Sequence, residues 1–234
     1  MKKIQMKISN TIAETFDDFI SSKKSKGLSE KTLITYKQHF HTLSYILCAD
    51  KSIDDLTKED LESMISILRE SNLSANSISS YVRTMKVFLS WCNDEELSTL
   101  KLKSFKSEET IKETYSDKEL GILLKKPNMK KCNFSEYRNW VIINLLLNNG
   151  CRAATIRNIK NKDVDLENLV IYLRHTKSKK AQVIPLCTEL SAILKEYIRI
   201  RGGTPDDYMF SNESGTQLKE NGLHSSIRRY NNRR

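Results

Sequence analysis

A serine or threonine set before an apolar stripe of helical period recurs along this chain, and no other feature restricts its fold as much. Thr57-Lys58-Glu59-Asp60 precedes Leu61, Met64, Ile65 and Leu68, and Ser116-Asp117-Lys118-Glu119 precedes Leu120, Ile122, Leu123 and Leu124. In both, the hydroxyl can accept a backbone N–H three residues on while the acid reaches back, which marks a helix start. Ser29 stands as a cap before Leu33, Tyr36, Phe40, Leu43, Ile46 and Leu47, and Ser74 before Ile78, Tyr81, Val82, Met85, Phe88, Leu89 and Trp91. Ile12, Phe16, Phe19 and Ile20 supply one more stripe upstream. With seven Gly and three Pro in 234 residues, little interrupts these segments, and the first hundred residues read as a bundle of four main helices.

The second half reads differently. Apolar density falls from Ser98 to Thr114, as in an inter-domain tether. A strongly apolar helix then spans Tyr137 to Asn149, with Gly150 placed to end it in the left-handed conformation. Two β-branched runs, Leu169–Leu173 and Gln182–Leu186, flank a lysine-rich turn and predict a hairpin. Helices are expected over Thr188–Arg199 and Leu218–Tyr230. The predicted class is mainly α, of α+β type. It comprises a helical domain over 8–97, a linker over 98–114, and a mostly helical domain over 115–234 with a small antiparallel sheet.

Charge separates the halves. Residues 1–100 carry 13 Lys+Arg against 14 Asp+Glu, net −1, while residues 101–234 carry 26 against 15, net +11. A polyphosphate partner selects such a basic half, because each neutralised phosphate releases condensed counterions. The five cysteines are odd in number, widely spaced and never in a CxxC pair, which argues against a disulfide framework or a zinc site and for reduced thiols. The opening MKKIQMKISN lacks the apolar stretch of a secretory signal, and the longest apolar run, Trp140–Leu147, is far too short to span a bilayer. A cytoplasmic location is expected.

Two stretches, NNGCRAATIRNIKNKDVD and LVIYLRHTKSKKAQVIPL, resemble the arginine box and the lysine-bearing hairpin of the tyrosine recombinase, or phage integrase, family. Gly150, Arg152, Asp163, Lys177 and Ile184-Pro185-Leu186 fill the family's places in order. The first half is similar to that family's helical, SAM-like core-binding domain through Ser29-Glu30-Lys31-Thr32 with Tyr36 and Ser77-Ile78-Ser79-Ser80-Tyr81 with Val87-Phe88-Leu89-Ser90-Trp91. The resemblance implies an intracellular protein that clamps double-stranded DNA and takes part in DNA integration or recombination. It also implies assembly with itself or with full-length relatives in a tetramer, and no cofactor or metal. In such chemistry, attack on a phosphodiester loads negative charge onto the phosphoryl oxygens, which a bidentate guanidinium stabilises, and the leaving 5′ oxygen needs a proton. Arg152 and Lys177 would fill these roles, with Lys179 and Lys180 on phosphates. Lys31, Thr32, Tyr36, Tyr81, Arg83 and Lys86 are the DNA contacts expected of the first half.

The chain departs from the family in two places. The H-x-x-R motif and the nucleophilic tyrosine beyond it have no counterpart: His224 is followed by Ser225, Ser226 and Ile227, Arg228 comes one position late, and Tyr230 lies four residues from the end. Thr155 stands where the family often has an acid. The expectation is a chain that binds DNA without cleaving it. A non-catalytic regulator of recombination and a helical protein-interaction module are the rival readings.

Overall fold

The computed structural model describes residues 10–104, 114–174 and 180–233, and its backbone divides into two compact units, Met1–Lys112 and Glu113–Arg234.

Unit 1 holds α1 (Ile12–Ser25), α2 (Glu30–Leu47), α3 (Lys58–Glu70) and α4 (Ala75–Asp94), with a 3-10 turn at Ile53–Asp55. Each helix starts on a side chain. Ser29, Thr57 and Ser74 accept the N–H of Thr32, Asp60 and Ser77, and Thr11 forms a reciprocal box with Glu14 that the apolar pattern alone did not reveal. The apolar stripes meet in an aromatic core. Phe16 stacks on Phe40 at 3.8 Å between centroids, and Phe88 meets Phe16 edge-on at 5.3 Å and Phe19 at 5.6 Å. Trp91 joins Phe19 at 5.7 Å and donates to Ser22 Oγ. The start of the expected tether lies along this unit. Leu100 and Leu102 pack against its core, and Asn93 donates to the Leu100 carbonyl at 3.0 Å.

One carboxylate of unit 1 sets a pH dependence. Asp60 Oδ2 accepts from Lys51 Nζ at 2.8 Å and from the N–H and hydroxyl of Thr57, both at 2.9 Å. The Lys51 ammonium, then the Thr57 donors, hold its pKa down at about 2. A folded pKa below the unfolded one gives stability that is present above about pH 4 and is lost as pH falls toward the folded value. The pair is about one-third exposed, so the contribution is at most about 1 kcal/mol. Asp60→Asn is expected to lower stability by that amount at neutral pH, with the difference closing as pH approaches 2, read by chemical denaturation on Trp91 fluorescence.

Unit 2 contains α5 (Asp117–Leu124), α6 (Phe134–Asn149), a five-residue α7 (Ala153–Arg157), α8 (Thr188–Arg201) and α9 (Glu220–Asn231). Its antiparallel sheet runs β1 (Val164–Asp165), β2 (Val170–Leu173), β3 (Gln182–Pro185), with β2 in the middle. The hairpin strands are those the sequence predicts, in a register pairing Tyr172 with Val183. Strand β1 is an addition, too short for any periodicity. Period-two alternation turns Ile171 and Leu173 inward and leaves Tyr172 and Val183 exposed. Pro185, which has no N–H to give, sits on the edge strand. Helix α6 is enclosed along most of its length and ends at Gly150, whose φ of 59° is left-handed and whose N–H closes on Leu146.

Candidate nucleic-acid interface

Arg152 lies at the N-cap position of α7 with extended backbone, its carbonyl accepting from Thr155 and Ile156. The turn at Gly150 therefore aims the chain so that the Arg152 side chain is exposed. Among the described residues its guanidinium makes no hydrogen bond or ion pair. Thr155, one turn later, is buried, so a hydroxyl and not an acid faces the interior there. Lys177 and Lys179 lie outside the described residues. Lys180, just before β3, is exposed.

The contacts expected of unit 1 fall on α2 and α4, which pack against each other. Lys31 is exposed in the first turn of α2, whereas the Thr32 hydroxyl is engaged with Ser29 Oγ at 2.8 Å as part of the cap. Tyr36 and Tyr81 are half-buried and pack on the aromatic core. Between them, His39 Nδ1 lies 2.7 Å from Thr84 Oγ1, and its ring lies 4.6 Å from that of Tyr81. Thr84 Oγ1 also lies 3.2 Å from the Ser80 carbonyl, and the His39–Thr84 hydrogen bond joins α2 to α4. Burial lowers the His39 pKa. Arg83 and Lys86 share a cleft of about 110 Å³ with Ser79 and Ser104. Lys86 Nζ donates to Ser104 Oγ at 2.9 Å and opens onto a second groove of about 500 Å³ lined by Lys101 and Lys103. The two linker lysines are cations that sequence reading placed in a tether. Their position beside α4 depends on Leu100 and Leu102 docking, and no spacing rule signals that.

Unit 2 also buries a cation unseen in the apolar pattern of α6. Arg138 is 2% exposed and donates to the Ser211 carbonyl at 2.8 Å, to Asn139 Oδ1 at 3.0 Å and to Ser226 Oγ at 3.4 Å. Burial lowers its pKa. Tyr230, the last tyrosine, is buried, and its hydroxyl donates to the Leu123 carbonyl at 3.2 Å. It is a core residue of α9, with no exposed hydroxyl to offer a phosphate.

The sequence matches the phage integrase family over residues 116–234, just over half the chain, and the phage integrase N-terminal SAM-like domain over residues 15–99. The chain belongs to the phage integrase family. Relatives of this integrase-family chain include a tyrosine recombinase of Pseudothermotoga lettingae, 24% identical over 220 residues, covering 89% of this chain and 71% of the relative. A probable integrase/recombinase protein of Methanocaldococcus jannaschii is 30% identical over 112 residues, covering 47% of this chain and 33% of the relative. Among solved structures, the Tn1549 transposon integrase in complex with transposon right end DNA superposes with a TM-score of 0.79 at 16% identity, covering 96% of this chain and 80% of that one. A lambda integrase tetramer bound to a Holliday junction gives 0.76 at 18% identity, covering 97% and 64%. The integrase-family fold therefore extends through both units, while the chain spans about a third of the Methanocaldococcus relative's length. No helix among the described residues is long and apolar enough to cross a membrane, and no group of three or more His, Cys, Asp or Glu among them could hold a metal.

Proposed function

We propose that this chain binds double-stranded DNA in site-specific recombination or integration, through phosphate contacts from both units. The observation that carries the reading is the family match over 116–234, a segment that includes an exposed Arg152 with no partner among the described residues. A guanidinium left open in this way suits bidentate binding of a phosphate. In the proposed arrangement Arg152 stabilises charge on the phosphoryl oxygens and Lys177 delivers a proton to the leaving 5′ oxygen. Lys179 and Lys180 hold neighbouring phosphates, and Lys31, Thr32, Tyr36, Tyr81, Arg83 and Lys86 meet the duplex from unit 1. The compartment is the cytoplasm, and the assembly partners are further copies of the chain or full-length relatives. Tyr230, a core residue of α9, is not assigned as a nucleophile.

The test is a gel shift across salt concentrations. Affinity is expected to fall steeply, with a log–log slope of about −0.9 per phosphate neutralised. Arg152→Ala is expected to weaken binding and to reduce that slope by about 1. Binding that ignores salt, or its absence, favours the protein-interaction reading. A suicide duplex that traps covalent intermediates is expected to give no adduct, and an adduct would show that a nucleophile is present after all.

A further inference from the structure

Six ion pairs in unit 2 have both partners among the described residues, and one differs from the rest in which partner is hidden. Lys126–Glu196, Lys160–Asp206, Lys162–Asp206, Arg157–Glu220 and Arg201–Asp207 all have carboxylates 30–67% exposed. Each presents its negative charge to solvent, and in Arg157–Glu220 and Arg201–Asp207 the carboxylate is the more exposed partner. In Arg174–Asp163 the carboxylate is 5% exposed and the guanidinium 59%. Positive charge is thus turned outward while the balancing negative charge is sequestered.

The geometry also fixes which edge of the guanidinium remains available. Asp163 closes the 3-10 turn Asn161–Asp163 by accepting the Lys160 N–H on Oδ2 at 2.9 Å, and its Oδ1 accepts Arg174 Nε at 2.8 Å. The Nε edge is thereby occupied. The Nη1/Nη2 edge makes no further bond among the described residues. The ring of Tyr172, two residues back on the same face of β2, lies 5.9 Å from the guanidinium carbon, a second restraint on its plane. A planar fork held at one edge and open at the other has little freedom left to lose on binding, and one N–H from each of Nη1 and Nη2 can meet two oxygens of one phosphate.

We propose that Arg174 is a phosphate-binding residue for the DNA backbone in unit 2 and that Asp163 is its positioning residue. This assignment rests on the DNA reading above and adds to it a cation more rigidly held than Arg152.

The experiment is fluorescence anisotropy of the full chain with a labelled, mixed-sequence DNA duplex across a salt series, with folding of each variant checked by circular dichroism. Arg174→Ala is expected to bind roughly tenfold more weakly at fixed salt and to lower the magnitude of the salt slope by about 0.9. Arg174→Lys keeps the charge but not the fork, so the slope holds while affinity falls several-fold. It also carries the test if the alanine variant, which strips a buried carboxylate of its cation, fails to fold. Asp163→Asn separates positioning from simple electrostatics by sign. Removing a negative charge near the DNA would by itself tighten binding, whereas loss of the restraint on Arg174 weakens it, and weaker binding is the expected result. Wild-type affinity and salt slope in folded Arg174→Ala, or wild-type affinity in Arg174→Lys, overturns the Arg174 assignment alone. Tighter binding by Asp163→Asn overturns the positioning role. A wild-type chain whose binding ignores salt overturns the DNA reading and this assignment together.

Discussion

Replacing Arg138 by methionine is expected to destabilise unit 2 by about 2–4 kcal/mol. The side chain is 2% exposed, and its donors satisfy the Ser211 carbonyl, Asn139 Oδ1 and Ser226 Oγ. Methionine fills much of the volume but leaves the Ser211 carbonyl and Asn139 Oδ1 without these donors, each a loss of about 1–3 kcal/mol. Opposing this, the substitution removes the desolvation cost of a buried guanidinium, whose burial lowers its pKa. We expect the unsatisfied acceptors to win, because no carboxylate bonds Arg138 among the described residues and several neutral groups do. Arg138→Lys is expected to recover only part of the loss, since a single ammonium cannot span three acceptors. The chain's two tryptophans make this measurable: Trp91 reports on unit 1 and Trp140 on unit 2. In a Trp91→Phe background, urea denaturation followed on Trp140 gives the stability of unit 2. A methionine variant as stable as its parent would mean that the desolvation cost exceeds the hydrogen bonds.

Phe88→Ala is the matching test of unit 1. The ring is fully buried and touches Phe16, Phe19 and Phe40. Truncation to alanine in such a site costs about 3–5 kcal/mol through lost transfer energy and the cavity left behind. Tyr45, 75% exposed, serves as the control, and Tyr45→Ala should change stability by less than about 0.5 kcal/mol. With Trp140 replaced by phenylalanine, denaturation on Trp91 reads both. Equal effects of the two substitutions would mean that the aromatic cluster does not hold unit 1 together.

The two variants also differ in how readily the sequence announces them. Phe88 belongs to a stripe of helical period behind Ser74, and its burial follows from that pattern alone. Arg138 sits inside an otherwise apolar helix, where periodicity offers no reason for a cation to turn inward. Its partners Ser211 and Ser226 lie 73 and 88 residues away; the packing of α6 against α9 brings Ser226 within reach, and Ser211 comes from the segment before α9.

The candidate site divides in the same way. Gly150 and Arg152 were legible, since a helix stop and the start of the next helix two residues on are local matters of backbone conformation. Asp163 was legible as a position, but its function as the buried anchor of Arg174 was not. That pair joins a 3-10 turn to the end of a strand, and its significance lies in unequal exposure, 5% against 59%, a property no spacing encodes. Lys101 and Lys103 became neighbours of Lys86 only because Leu100 and Leu102 dock on unit 1.

What this chain's sequence determined by itself were choices made within one or two turns. Helix starts at Ser29, Thr57, Ser74 and Ser116 were among these, as were the stop at Gly150 and the strands on either side of the lysine-rich turn. Short-range hydrogen bonds and side-chain periodicity decide these locally. The tertiary structure alone decided which charges are hidden and which are presented, because desolvation depends on what covers a group, and the cover is supplied by residues far away along the chain.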